Sequence, residues 1–294
     1  MIEQILSIVS PVFGLVLVGW LYARRHGPDM TAANRINLDV FIPALIFHVL
    51  SGKEFEIGQY LDMAAGAAMV VLGSGVIALA VCRATKIDYR TLAPPIMFNN
   101  SGNMGLPLAV LSFGQRALPA AVVLFLVENL LNFTLGVRML DPRRSLVGLL
   151  RMPLVLACLL GLAFSLLDVQ PPKPVGLGIE MLGQVAIPLM LFALGVRLTE
   201  ADWSLWQVGL LGAFLRPAAG LIAALPALLL LPLPGVRTQQ LILFAVLPPA
   251  VLNYVLAEKY RQEPEAVAAI VIWGNLASLV TIPLTLAFIL KGSG

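Results

Sequence analysis

Ten stretches of about twenty mostly apolar residues, separated only by short polar loops, constrain this chain more than any other feature. They run Ile5–Tyr22, Ala32–Leu50, Tyr60–Val81, Thr91–Leu111, Leu118–Val137, Leu149–Leu167, Val175–Val196, Leu205–Leu231, Gln239–Ala257 and Ala266–Leu290. Each is long enough to cross a bilayer as an α-helix, in which every backbone N–H and C=O finds its partner inside the segment. The expected fold is an all-α membrane protein with ten transmembrane helices. Composition agrees: 59% of residues are hydrophobic and 12% charged, against about a quarter charged in soluble domains. The first stretch lacks a basic start and a small-residue cleavage site and runs on into Trp20 and Tyr22, so it reads as a retained span.

Lys and Arg sort onto alternate loops. One side holds 13 of the 19, among them Arg24, Arg25, Arg83, Arg143, Arg144 and Arg151; the other holds five: Lys53, Arg116, Lys173, Arg237 and Lys291. The crowded side is expected to be cytoplasmic, which puts both termini outside. Arg216 is left over, inside a span. A net charge of +3 spread over short loops sets topology and indicates no nucleic-acid partner. Cys82 and Cys158 sit singly in apolar runs as packing residues, and His26 and His48 have no ligand cluster, so no metal site is expected.

The halves resemble each other. Span 2 reads VFIPALIF (Val40–Phe47) and span 7 reads VAIPLMLF (Val185–Phe192). Pro11 and Gly19 of span 1 match Pro153 and Gly161 of span 6, and Asn129 of span 5 matches Asn275 of span 10. With five spans per half, residues 1–140 and 148–294 form two repeats that enter the membrane from opposite sides. The fold expected is thus two inverted five-helix repeats.

Spans 4 and 9 each carry an interruption. Span 4 contains FNNSGNMGLP (Phe98–Pro107), and span 9 contains LPPAVLNY (Leu247–Tyr254). Asparagine, glycine and proline disfavour a continuous lipid-facing helix. Broken backbone at membrane depth survives where protein or a water-filled cavity satisfies it, and one broken helix per inverted repeat is the pattern of secondary transporters. The N-terminus of each second half-helix, expected near Gly105–Pro107 and just after Pro248–Pro249, offers free N–H groups and a positive dipole end to an anion. Asn100, Asn103 and Asn253 can add amide donors, Ser101 a hydroxyl, while Asn99 serves equally as ligand or as helix cap.

Glu128 falls mid-span 5, beside Asn129 and one turn before Asn132. It is the candidate proton carrier, or a structural partner for Arg216, about ten residues into span 8 and near mid-membrane at the helical rise. Arg216 can equally serve as countercharge to a substrate. Asp39 and Glu180 lie nearer span ends and read as interfacial or paired groups. Ser101, Asn129, Asn132, Asn275 and Ser278 form either an oxygen cage for Na⁺ or interhelical glue. No nucleophile–base pair, aspartate pair or metal cluster points to an enzyme, and no cofactor is expected beyond H⁺ or Na⁺ coupling.

The run NSGNMGLP (Asn100–Pro107) resembles the N-T-x-x-x-G-[IL]-P run of the auxin efflux carrier family, which includes plant PIN-FORMED carriers and bacterial malate and malonate carriers. LPPAVLNYVLAEKY (Leu247–Tyr260) is similar to the family's second signature, with Glu258–Lys259 in reversed order, and Ile42–Pro43 also fits. The family has proline in plant members where Asn99 and Asn253 stand here. The resemblance implies a bile-acid sodium symporter-like fold. In it spans 4 and 9 cross as broken helices, spans 1, 2, 6 and 7 form a scaffold, spans 3–5 and 8–10 form a moving core, and scaffolds pair in a homodimer. It also implies that Asn100 contacts the substrate carboxylate. The function expected is a bacterial inner-membrane secondary carrier of small organic anions, working outward by an elevator-like core movement; the rival is a sodium-coupled symporter with inward flux.

Overall fold

In the computed structural model, which describes residues 2–52, 55–143, 148, 151–200 and 205–291, the described residues are helical almost throughout. Lys53, Arg144 and Leu149, which entered the charge and span expectations, lie outside the described residues. In chain order the α-helices are α1 (Ile2–His26), α2 (Thr31–Ile36), α3 (Ile42–Leu50), α4 (Leu61–Thr85), α5 (Tyr89–Met97), α6 (Leu106–Phe113) and α7 (Leu118–Leu131). There follow α8 (Val137–Leu140), α9 (Pro153–Leu166), α10 (Lys173–Arg197), α11 (Trp206–Leu230), α12 (Gly235–Val246), α13 (Leu252–Tyr260) and α14 (Pro264–Lys291).

Seven helical stretches among the described residues are long and apolar enough to span a bilayer: 3–26, 31–50, 57–85, 115–140, 173–197, 206–230 and 264–291. These coincide with expected spans 1, 2, 3, 5, 7, 8 and 10. Span 6 is a shorter apolar helix, Pro153–Leu166. Spans 4 and 9 are each interrupted, as α5 with α6 and as α12 with α13. Outward faces are apolar: Phe214, Leu229 and Phe288 are 73%, 82% and 76% exposed. In water, apolar area on that scale would drive aggregation; in a bilayer it is the solvated face.

Prolines explain two irregular turns. Pro43 and Pro107 are the second residues of α3 and α6, and a five-residue π turn precedes each helix, Asn37–Phe41 and Ser101–Gly105. Proline lacks the N–H that would close an i→i−4 bond and crowds the preceding turn, and the wider π turn accommodates both defects. A third π turn, Asn132–Gly136, extends α7 without a proline.

The contacts divide the chain into two compact units. One comprises residues 1–11, 62–144 and 200–294, the other 12–61 and 145–199. In the second unit α3 packs on α9 and α10. Phe47 meets Phe164 edge-on at 5.3 Å, and the Ser165 hydroxyl donates to the Phe55 carbonyl at 2.8 Å. Asp39 pairs with Arg35 at 3.6 Å on its surface, and Glu180 accepts from Gln184 at 3.3 Å, the paired roles expected of them. In the first unit α11 lies along α14, and both pack against α12 and α5. That unit carries both helix breaks.

Candidate functional site: two helix breaks joined by their backbones

Span 4 starts on a capped helix. Asp88 accepts from the Arg90 amide at 2.8 Å, and the last turn of α5 closes with Phe98 N–H to the Pro94 carbonyl at 2.9 Å. The chain then runs extended through Phe98 (φ −101°, ψ 111°) to Asn100. It re-enters helix at Ser101 through the π turn. The second half-helix therefore begins at Ser101, earlier than Gly105–Pro107. The π turn keeps Gly105 and Pro107 inside the helix, so the first polar residues, Asn99 and Asn100, form the break.

Span 9 breaks where α12 ends at Val246. Leu247 is extended (φ −55°, ψ 143°), the two prolines follow, and α13 starts at Leu252. Neither proline can donate a hydrogen bond, so the segment takes its backbone partners from elsewhere. They come from the other break. Asn99 and Pro249 face each other as an antiparallel bridge, with Asn100 N–H to the Pro248 carbonyl at 2.7 Å and Ala250 N–H to the Phe98 carbonyl at 3.0 Å. Buried backbone groups freed by each break are thus satisfied by the other.

Asparagine side chains complete this joint. Asn99 donates to the Phe244 carbonyl at 2.8 Å, in the last turn of α12. Asn253 donates to the carbonyls of Phe98 (2.9 Å) and Ala250 (3.0 Å). Asn100 donates to Asn275 Oδ1 at 3.2 Å, and Asn275 donates to the carbonyls of Pro249 (3.1 Å) and Val271 (2.8 Å). Ser278 donates to the Asn275 carbonyl. The amide donors of Asn99 and Asn253 are used on backbone carbonyls, which leaves Asn99 Oδ1 and Asn253 Oδ1 buried without a partner. Asn103 is half-buried in the π turn. Gly274 sits against this joint: a Cβ there would overlap the Pro249 ring. Gly274→Val is therefore expected to lower stability by about 1–3 kcal/mol, read as a lower melting temperature in detergent.

The buried charges meet helix ends rather than each other. Glu128 is 2% exposed and accepts from the Ser101 hydroxyl at 2.6 Å and from Asn129 at 3.2 Å. Its carboxylate therefore faces the positive N-terminal end of the half-helix that Ser101 opens. Arg216 is 0% exposed and donates to the Ala245 carbonyl at 3.2 Å, at the negative C-terminal end of α12. No ion pair within 4.0 Å joins Glu128 to Arg216 among the described residues, and Arg216 Nε and one terminal nitrogen are unpartnered. The sequence left a Glu128–Arg216 pair open; the geometry assigns each charge its own helix end.

The expected residues thus fall into two linked groups. Ser101, Glu128 and Asn129 form one chain of hydrogen bonds, and Asn99, Asn100, Pro248, Pro249, Asn253 and Asn275 form the joint. Asn132, named for a Na⁺ cage, is 1% exposed with both amide atoms unpartnered, so it joins neither group. Beside Ser101 lies a small pocket, lined also by Gly105, Ala121, Leu124, Gln240, Phe244 and Leu247. Gln240 was missed by the sequence reading because it stands next to the expected start of span 9, where a polar residue signals a boundary. It is 3% exposed, donates to the Ala117 carbonyl at 3.1 Å and leaves Oε1 unpartnered.

Residues 143–286 match the family described as "Membrane transport protein". Over 99% of its length the chain is 28% identical to a protein of Rhizobium meliloti (strain 1021) named "Putative malonate transporter", of which the match covers 97%. It is also 25% identical to auxin efflux carrier component 6 of Arabidopsis thaliana, over 61% of this chain and 30% of that protein.

Proposed function

We propose that the chain is a secondary carrier of small organic anions of the auxin efflux carrier type, a reading supported by the match of residues 143–286 to the membrane transport protein family and by the full-length likeness to a protein named as a malonate transporter. The observation that carries this reading is the joint itself. Two interrupted helices in one apolar unit are held together by reciprocal backbone bonds at Asn99 and Pro249. A break bonded reciprocally to a second break is a built feature, and broken helices at membrane depth are where transporters bind. The N-terminus of the second half-helix of span 4, at Ser101, and the adjacent pocket provide amide dipoles and a hydroxyl for a carboxylate without a cation that would hold it permanently.

The proposal includes ten crossings in two inverted repeats, with both termini outside the cytoplasmic face of a bacterial inner membrane. It also includes alternating access, with unit 12–61 and 145–199 as the scaffold and dimer surface and the other unit as the core that carries substrate. What supports the assignment of roles is that every residue of the joint lies in the latter unit. The name of the Rhizobium meliloti relative makes malonate the first substrate to try. The expected direction is efflux.

Counterflow tests the reading. Proteoliposomes loaded with unlabelled malonate, and in parallel arms malate and indole-3-acetate, should accumulate the labelled acid transiently above its equilibrium level. Passive equilibration alone would mark a channel. No acceleration of any carboxylate over empty liposomes, with or without Na⁺, would sink the carrier reading. Binding of the right acid should also raise the melting temperature, because a ligand selective for the native state stabilises it.

A further inference from the structure

We infer that Glu128 is a resident competitor for the anion site: its carboxylate, held through Ser101, occupies the N-terminal end of the second half-helix of span 4, and a carboxylate from outside binds there when Glu128 takes up a proton. The inference rests on the carrier reading above and adds the coupling ion and its stoichiometry.

Ser101 opens the π turn that continues into α6, so together Ser101–Phe113 form one half-helix. Its hydroxyl donates to Glu128 at 2.6 Å while the residue also lines the small pocket. One hydroxyl proton thus stands between an internal carboxylate and the pocket. A second lining residue gives an independent sign that the pocket takes a polar guest: Gln240, 3% exposed, has Oε1 without a partner.

While Glu128 is ionised, the Ser101 O–H is committed to a charged acceptor, and the negative charge behind it opposes any second anion in the pocket. Once Glu128 carries a proton, that charge is gone. A carboxylate in the pocket is then the better acceptor for the Ser101 O–H, since a hydrogen bond to a charged oxygen is about twice as strong as one between neutral groups. One negative charge replaces another at the same dipole end. The balance is one proton taken up by the Glu128 carboxylate for each anion admitted, and one released when the anion leaves. Proton and anion therefore cross together.

The neighbours leave Glu128 free to switch. α7 packs against α6, α12 and the π turns at its two sides. Arg216, from α11, makes no ion pair with Glu128 within 4.0 Å among the described residues. Arg237, at the start of α12, faces Asp62 at 3.4 Å. Arg116 stands in the turn before α7, and Arg138 beyond its π turn. Asn129 adds a neutral donor at 3.2 Å.

The test is calorimetric titration of the purified full-length protein with malonate and with benzoate, in buffers of different ionisation enthalpy and at several pH values. For wild type, Kd should rise about tenfold per pH unit above the Glu128 transition for benzoate, with about one proton taken up per anion. Glu128→Gln should bind at every pH with neither the slope nor the proton uptake. Ser101→Ala should weaken binding, and Ser101→Thr, which keeps the hydroxyl, should restore it. A pH slope or proton uptake that persists in Glu128→Gln overturns the inference while the carrier reading stands. If neither acid binds wild type at any pH, the carrier reading for these anions fails, and the competition fails with it. Infrared difference spectra give a readout without added anion: a protonated carboxyl stretch should appear on acidification, vanish in Glu128→Gln and shift in Ser101→Ala. A band indifferent to Ser101 overturns the inference whatever the binding data show.

Discussion

Replacing Asn100 by alanine should cut carboxylate transport by about ten- to a hundredfold, leave the helical content as in wild type and lower the melting transition by only a few degrees. The size follows from what the side chain does. Its amide donates to Asn275 Oδ1, and both residues are buried. Alanine leaves that oxygen without a donor, a loss of about 1–3 kcal/mol where the substrate is proposed to bind, and it also removes a donor that could turn to the substrate. The fold survives because the joint is made by the backbone of Asn100. Its N–H reaches the Pro248 carbonyl, and its own carbonyl accepts from Met104 and Gly105 at 3.1 Å each. None of these bonds needs the side chain. Asn100→Asp should lose more than alanine, since it places a negative charge beside the anion. Transport in proteoliposomes, with KM and maximal rate separated, decides the matter. An alanine variant with wild-type values of both would remove Asn100 from the site and with it the central premise of the proposed mechanism.

How far the sequence spoke depended on the range of each interaction. Local chemistry was legible. Leu247-Pro248-Pro249 interrupts α12 because prolines cannot continue the hydrogen-bond ladder, and the Phe98–Asn100 break lies inside the run that sequence alone singled out. The position within that run was less legible. Gly105 and Pro107 look like breakers residue by residue, yet the π turn at Ser101–Gly105 absorbs Pro107 and keeps the helix intact. Long-range pairing was not legible at all. Nothing near Asn253 in the chain indicates that its amide will cap the Phe98 carbonyl, 155 residues away. Likewise Arg216 and Glu128 are an obvious pair to the eye, two opposite charges in apolar segments. Only the fold reveals that helix termini serve them instead. Gln240 shows the reverse error, a buried polar residue hidden by its place at a segment boundary.

Arg216→Ala should destabilise the protein by about 2–5 kcal/mol, the range found when a large buried side chain is truncated and a cavity is left behind. Arg216 is among the largest fully buried side chains, and its guanidinium fills the space where Gly220 passes the Ala245 carbonyl. A Cβ at Gly220 would collide with that carbonyl and with the guanidinium, so the gap is shaped for this one cation. Arg216→Met separates volume from charge. It refills most of the cavity but leaves the Ala245 carbonyl, at the negative end of α12, without its donor, so about 1–3 kcal/mol of the loss should remain. The partner question is then answered by a cycle with Glu128→Gln. If the two charges formed a buried ion pair, neutralising Glu128 would recover much of the Arg216→Met loss, with a coupling of several kcal/mol. Because each charge meets its own helix end and no ion pair lies within 4.0 Å, the two losses should add to within about 1 kcal/mol. Melting curves of the two single variants and the double variant in one detergent read this directly. Strong coupling would mean that Glu128 is held charged by Arg216, leaving it unable to exchange the proton that its bond to Ser101 would report to the pocket.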